Sequence, residues 1–210
     1  IDFSFLDAAK DFPGGFVWFI EQFMPNAKAF DQMGKITSAL AMTILDAIAA
    51  GTLAAVIAFI LAVIASRVSG VGGPVQMVIR AFATVLRNIP TVAWGFILLF
   101  SFKQAEFTGF LALFFKSLGF LTRAFIETID EADAGSIEAL KATGASRLQI
   151  IVHGVFPLSL TQVVSWVLYM IETNFRDATL VGMLTGTGIG FVFNWYYRTF
   201  KYPTAGLVII

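Results

Sequence analysis

The sequence predicts an all-α, polytopic membrane protein. Of its 210 residues, 58% are hydrophobic and only 13% charged, about half the charged share of a soluble domain. The apolar residues also gather into runs long enough to cross a bilayer, which takes about 20 residues in a helix. Formal net charge is zero, so no basic excess points to nucleic acid. The absence of cysteine removes disulfides, thiolate zinc sites and a cysteine nucleophile. A single histidine, His153, speaks against a histidine metal site and reads as a membrane-boundary residue.

Residues 1–35 form the first unit. Phe12, Phe16, Trp18 and Phe19 mix there with Asp11 and Glu21, too interrupted to span. Aromatic content of this kind suits a helix lying along the bilayer surface on the extracytoplasmic side, although a soluble amphipathic hairpin has the same pattern. The Pro13-Gly14-Gly15 break is expected to divide it. No signal peptide is visible in the first 35 residues. Residues 36–210 are the transmembrane unit. Ile36–Ser66 is the first span, with Asp46 as its one charge, and a turn at Gly70–Pro74 follows. Val75–Phe102 is the second, which Pro90 should kink. Phe107–Phe125 is the third, interrupted by Lys116. A polar stretch then separates it from the fourth, Leu148–Ile171, which Pro157 opens. The glycine-rich segment from Gly182 to Gly190 leads to a final apolar run from Pro203, the start of a further span in a longer protein.

Arg67, Arg80, Arg87, Arg123, Lys141 and Arg147 fall on ends that would share one side. Basic residues in short loops mark the cytoplasmic face, so the polar loop, residues 127–153, is expected in the cytoplasm.

Ionisable residues inside a bilayer are expensive and should face protein or a watery path. Lys116 and Arg176 are candidate lining for an anion path, because a guanidinium fork matches oxyanion geometry. Glu172 stands four residues before Arg176, so the two can pair on one face. Each has a plainer reading: Lys116 snorkelling to an interface, and Glu172–Arg176 as a structural pair. Asp46 reads as the structural partner of a cation. The glycines permit irregular backbone beside the path, which places a gate near Met183, Leu184, Gly186 and Gly188.

The polar loop carries Glu138-Ala139-Leu140-Lys141-Ala142-Thr143-Gly144-Ala145-Ser146-Arg147. Its first half favours helix, Gly144 ends it, and a second helix starts at Ser146. The small residues Ala139, Ala142 and Ala145 would let a partner approach closely. The pattern resembles the coupling-loop signature of ATP-binding-cassette importer permeases: Glu-Ala-Ala, three residues, Gly, nine residues, then Ile-x-Leu-Pro. Glu138, Ala139, Gly144 and Pro157 keep the spacing, while Leu140, Gly154 and Phe156 depart from it. Together with Arg87-Asn88-Ile89-Pro90, Glu127-Thr128-Ile129-Asp130 and Arg176-Asp177-Ala178-Thr179-Leu180-Val181-Gly182, it is similar to the phosphonate-importer permeases. Members commonly carry Glu where this chain has Thr91.

The resemblance implies a type I importer permease fold with about five core transmembrane helices plus an N-terminal interfacial helix. It implies a multi-pass protein of the bacterial cytoplasmic membrane that is not itself an enzyme. Its partners would be a second permease copy, two ATP-binding subunits and an extracytoplasmic binding protein. Glu138, Ala139, Ala142, Gly144, Ala145 and Ser146 would engage the ATPase, which binds ATP and Mg²⁺; this chain holds no cofactor. The cargo would be phosphonate, phosphite or phosphate. Alternatives are another small solute such as an amino acid, a stand-alone secondary transporter, or a membrane enzyme using Asp177 or Glu172. The Gly186-x-Gly188-x-Gly190 run lacks the strand, spacing and Lys-Ser/Thr ending of a nucleotide cradle.

Overall fold

A computed structural model describes residues 5–68, 72–131 and 134–210. Among these the chain is helical, with no strand. The elements are α1 (Phe5–Phe23), α2 (Ala27–Phe30), α3 (Met33–Ala65), α4 (Gly73–Asn88), α5 (Thr91–Phe102), α6 (Glu106–Asp130), α7 (Ala134–Ala142) and α8 (Arg147–Ile150). A π-helical turn, Ile151–Val155, joins α8 to α9 (Phe156–Thr185); α10 (Gly188–Arg198) and α11 (Tyr202–Ile209) complete the chain.

The helices α3 and α6 and the rod Arg147–Thr185 are each long and apolar enough to cross a membrane. The pair α4 and α5 adds a fourth crossing if taken as one broken span. The rod of 39 residues is about 58 Å long at 1.5 Å per residue, nearly twice the hydrocarbon thickness, so part of it stands outside the bilayer.

Several boundaries differ from expectation. The second span is not merely kinked: α4 and α5 meet at 96°. Ile89, ahead of Pro90, is extended (φ −88°, ψ 119°), so α4 ends and α5 starts afresh. The third span runs on from Phe125 to Asp130, with Arg123 Nε donating to Glu127 Oε1 at 2.5 Å. The fourth passes Ile171 to Thr185, which puts Glu172, Arg176 and Asp177 inside the helix. It also begins before Pro157, because the wider π turn makes room for the ring. Pro13 does not divide α1, which continues through it; one lost hydrogen bond beside two uncrowded glycines is tolerated. Of the expected 70–74 turn, Gly70 and Val71 lie outside the described residues, while Gly72 and Gly73 take φ of 73° and 68°.

The core is built on close approach. The face of α3 carrying Ala47, Ala50, Gly51, Ala54, Ala58, Ala62 and Ala65 is buried, chiefly along α6. Without lipid-phase hydrophobic drive between helices, small residues of this spacing let backbones pack tightly. α3 and α6 run parallel and pack directly on each other, and α9 runs back against both. One end of the bundle is locked by Asp130. Its Oδ1 accepts from Ser66 Oγ at 2.8 Å and Arg67 N at 2.7 Å. Its Oδ2 accepts from Arg80 Nη2 at 2.7 Å. Arg80 Nε and Gln76 Nε2 also cap the carbonyl of Ala65. Arg87 lies further along, beside Gly119, about 16 Å up α6 from Asp130 at 1.5 Å per residue. At the other end, Phe23 of α1 packs on Tyr197 of α10 and Tyr202 of α11.

Candidate functional site

The 96° break puts the start of α5 against the middle of α6 and α9. Pro90 supplies no side-chain cap there, so the first N–H groups of α5 carry the positive end of the helix dipole. Thr91, only 6% exposed, donates from Oγ1 to Asp177 Oδ2 at 2.5 Å. Lys116 Nζ on α6 donates to the same oxygen. The three residues line a cavity of about 260 Å³ with Pro90, Val92 and Leu180. The charged side chains are 22% and 20% exposed, an ion pair at membrane depth that opens onto space. Discontinuous helices whose N-termini face a mid-membrane cavity are suited to meeting anions.

A buried network steadies the cluster. Asn174, one turn before Asp177, bonds through Nδ2 to Ser117 Oγ at 3.0 Å and to the carbonyl of Ala47 at 3.4 Å. Gly51 leaves room for it: a Cβ there would lie 2.9 Å from Ile171 Cγ1. α3, α6 and α9 are thereby fixed around the Lys116–Asp177 pair.

Lys116 and Arg176 are not brought together. Arg176 pairs with Glu172 on the outer face of α9, with side chains 73% and 61% exposed. Asp46 has no ion-pair partner among the described residues; it borders a narrow cleft beside Thr43, Gly182 and Gly188. The partner that Lys116 does find, Asp177, stands next in sequence to Arg176. Its signal was a carboxylate inside an otherwise apolar stretch, hidden by ending the span at Ile171.

The glycine segment breaks the backbone at two residues. Gly186 (φ +75°) caps α9, and Gly188 (φ +63°) starts α10 against Thr43, whose Oγ1 accepts from Ile189 N at 2.9 Å. Leu184 and Met183 are half-buried, and the Leu184 carbonyl accepts from Gln104 Nε2 at 3.3 Å.

At the Asp130 end, α7 closes with paired bonds from Ala145 N to Leu140 O and Gly144 N to Lys141 O, at 3.2 and 3.0 Å, with Gly144 at φ +78°. This is a Schellman ending, which needs a left-handed residue. Ser146 and Gln149 then form a reciprocal capping box for α8. Ile137 buries into the core cluster with Ala145 against it, while Glu138, Ala139, Ala142, Gly144 and Ser146 face outward. Two departures from the coupling signature turn out to be one compensation. A Cβ on Gly154 would lie 2.9 Å from Leu140 Cδ1; the larger residue at 140 fills the space of the missing one at 154. Leu140→Ala alone should therefore leave a cavity and cost about 2–3 kcal/mol, and adding Gly154→Ile should recover at least half, as read by thermal unfolding in detergent. No recovery would remove the pairing.

Residues 54–210 match the family of binding-protein-dependent transport system inner membrane components. The chain belongs to that family. It is a multi-pass component of the bacterial inner membrane. It is 30% identical over 168 residues to the phosphite transport system permease protein PtxC of Stutzerimonas stutzeri, covering 80% of this chain and 61% of that protein. It is 30% identical over 181 residues to the phosphate-import permease protein PhnE of Mycolicibacterium smegmatis, covering 86% of this chain and 34% of that one. The chain thus spans less than two thirds of either relative. In fold it is similar to a chain from the crystal structure of an amino acid ABC transporter with histidines, with TM-score 0.68 and 16% identity over 100% of this chain and 90% of that one. The type I permease architecture expected from the coupling motif is the one found.

Proposed function

We propose that this inner membrane component is the permease of an ATP-driven importer for a tetrahedral phosphorus oxyanion: phosphonate, phosphite or phosphate. The observation that carries the reading is the Lys116–Asp177–Thr91 cluster facing a cavity at a helix break. The names of the phosphite and phosphate relatives support the cargo class. Lys116 and the α5 N-terminus offer the anion positive potential, and Asp177 competes for Lys116. The anion is therefore held weakly, as a pore requires if it is to release what it admits.

Two permease copies face one another. A binding protein delivers cargo on the outer side, and two ATP-binding subunits, holding ATP and Mg²⁺, act from the cytoplasm. The outward face of α7, residues Glu138, Ala139 and Ala142 with Gly144 and Ser146, sits in a groove of the ATPase and transmits its closure. The rod from Arg147 to Thr185 carries that motion directly from α8 to Asp177 and to the gate at Met183–Gly188. Arg176 and Glu172, exposed on the single chain, lie on the face open to the second copy or to the path.

The test is ATPase stimulation of the reconstituted complex by binding protein loaded with phosphonate, phosphite, phosphate or sulfate. At least one phosphorus oxyanion should stimulate severalfold and sulfate should not. Gly144→Val, which forces a β-branched residue into left-handed backbone, should leave membrane insertion intact and remove about nine tenths of the stimulation. Uptake without any ATPase partner, or full stimulation in Gly144→Val, would overturn the proposal.

A further inference from the structure

At the end of the bundle opposite Asp130, α2, α3, α10 and the start of α11 surround a cavity of about 480 Å³. Lys28, Lys35 and Lys201 line it and no carboxylate does. Among the described residues none of the three forms an ion pair, and all three are exposed. Tyr196 Oη donates to Gln32 Oε1 at 3.1 Å, fixing the wall between α10 and α3. A second cavity of about 340 Å³ shares Lys35, Trp195 and Tyr196 with the first and continues over Phe191 and Val192. Its lining is almost wholly apolar apart from Lys35.

A concave site with three cations and no acid calls for an anion. The adjoining apolar groove calls for hydrocarbon. One molecule satisfies both. We propose that this double cavity binds an anionic phospholipid, its phosphodiester among Lys28, Lys35 and Lys201 and an acyl chain along Phe191, Val192 and Trp195. Basic pockets between membrane helices hold lipid head groups on the cytoplasmic side; the same attraction of lysine for a phosphodiester operates at this opposite end, where Trp and Tyr also belong at the interface. The first cavity alone has the size of an organic-ligand pocket rather than of a small ion. The site is separate from the Lys116–Asp177 cluster and stands whether or not the cargo is a phosphorus oxyanion. The lipid would add a further tie among α2, α3, α10 and α11, beside the packing of α10 on α3 and α11.

Native mass spectrometry of the full-length permease, exchanged into vesicles of phosphatidylglycerol or phosphatidylcholine, tests this. Phosphatidylglycerol should be retained and phosphatidylcholine lost. Each of Lys28→Gln, Lys35→Gln and Lys201→Gln should weaken retention about fivefold, and the triple variant on the order of a hundredfold. Trp195→Ala should weaken retention of phosphatidylglycerol without abolishing the preference for a charged head. Thermal unfolding checks that the variants fold, which surface lysines permit. Equal retention by the triple variant would overturn the proposal. So would displacement of the lipid by millimolar inorganic phosphate, which would mark a free-anion site. Loss of binding-protein association in the triple variant with lipid retention unchanged would instead mark a protein-docking surface, and would equally overturn it.

Discussion

Asp177→Ala and Lys116→Met, each made alone, are expected to reduce the folded permease sharply, by about 3 kcal/mol, because each strands an uncompensated charge at membrane depth. Lys116→Met with Asp177→Leu should fold within about 1 kcal/mol of the parent, since an apolar pair replaces an ionic one; the remaining loss is Thr91, whose hydroxyl gives up its bond to Asp177. Uptake separates structure from transport. If the pair only holds α6 to α9, the double variant should transport normally. If Lys116 meets the anion, uptake should fall at least a hundredfold in a protein that is stable and correctly inserted. Thermal unfolding and uptake measured on the same preparations decide between them, and normal uptake by the double variant would return the pair to a purely structural role.

Much of the fold was readable because the bilayer imposes simple lengths. The long apolar runs announced α3 and α6, and Pro90 announced a break. The backbone of the loop around Gly144 was readable for a different reason: Gly144, Ser146 and Gln149 are local backbone chemistry, and a Schellman ending followed by a capping box depends on few distant atoms. What sequence reasoning missed is what depends on distant partners. Glu172, Arg176 and Asp177 looked like the end of a span because charges ordinarily end one. In the fold, Arg176 is met by Glu172 and Asp177 by Lys116, so the helix continues through them. Asp130 likewise stood in a polar stretch with nothing to show that Ser66, Arg67 and Arg80 would converge on it. The substitution of Leu140 for Ala and of Gly154 for Ile read as two unrelated departures. Only the packing of α7 on the π turn shows that they occupy one volume.

Gly190→Ala is expected to destabilise more than any other single methyl addition in the glycine segment. An ideal Cβ at Gly190 would lie 1.9 Å from the carbonyl oxygen of Thr179 and 2.8 Å from its carbon. The obstacle is backbone inside a continuous helix, so no rotamer change relieves it. α10 must move away from α9, at a cost at or above the top of the 1–3 kcal/mol usual for overpacking. Gly14→Ala is the control: nothing lies within 4 Å of its Cβ, and in a helix alanine is favoured over glycine by up to about 1 kcal/mol. The difference between the two thermal midpoints measures how tightly α10 is locked to α9. That lock has a mechanical consequence. The break at Gly186 and Thr187 reverses the chain, while Gly190 and Gly182 press the two helices together on either side of it, so α10 travels with the end of the rod that begins at Arg147. A motion applied at the proposed coupling loop would then reach the proposed gate as a rigid displacement rather than as local bending. A folded Gly190→Ala variant should accordingly lose transport more than it loses stability; parental uptake in such a protein would show that α10 and α9 move independently.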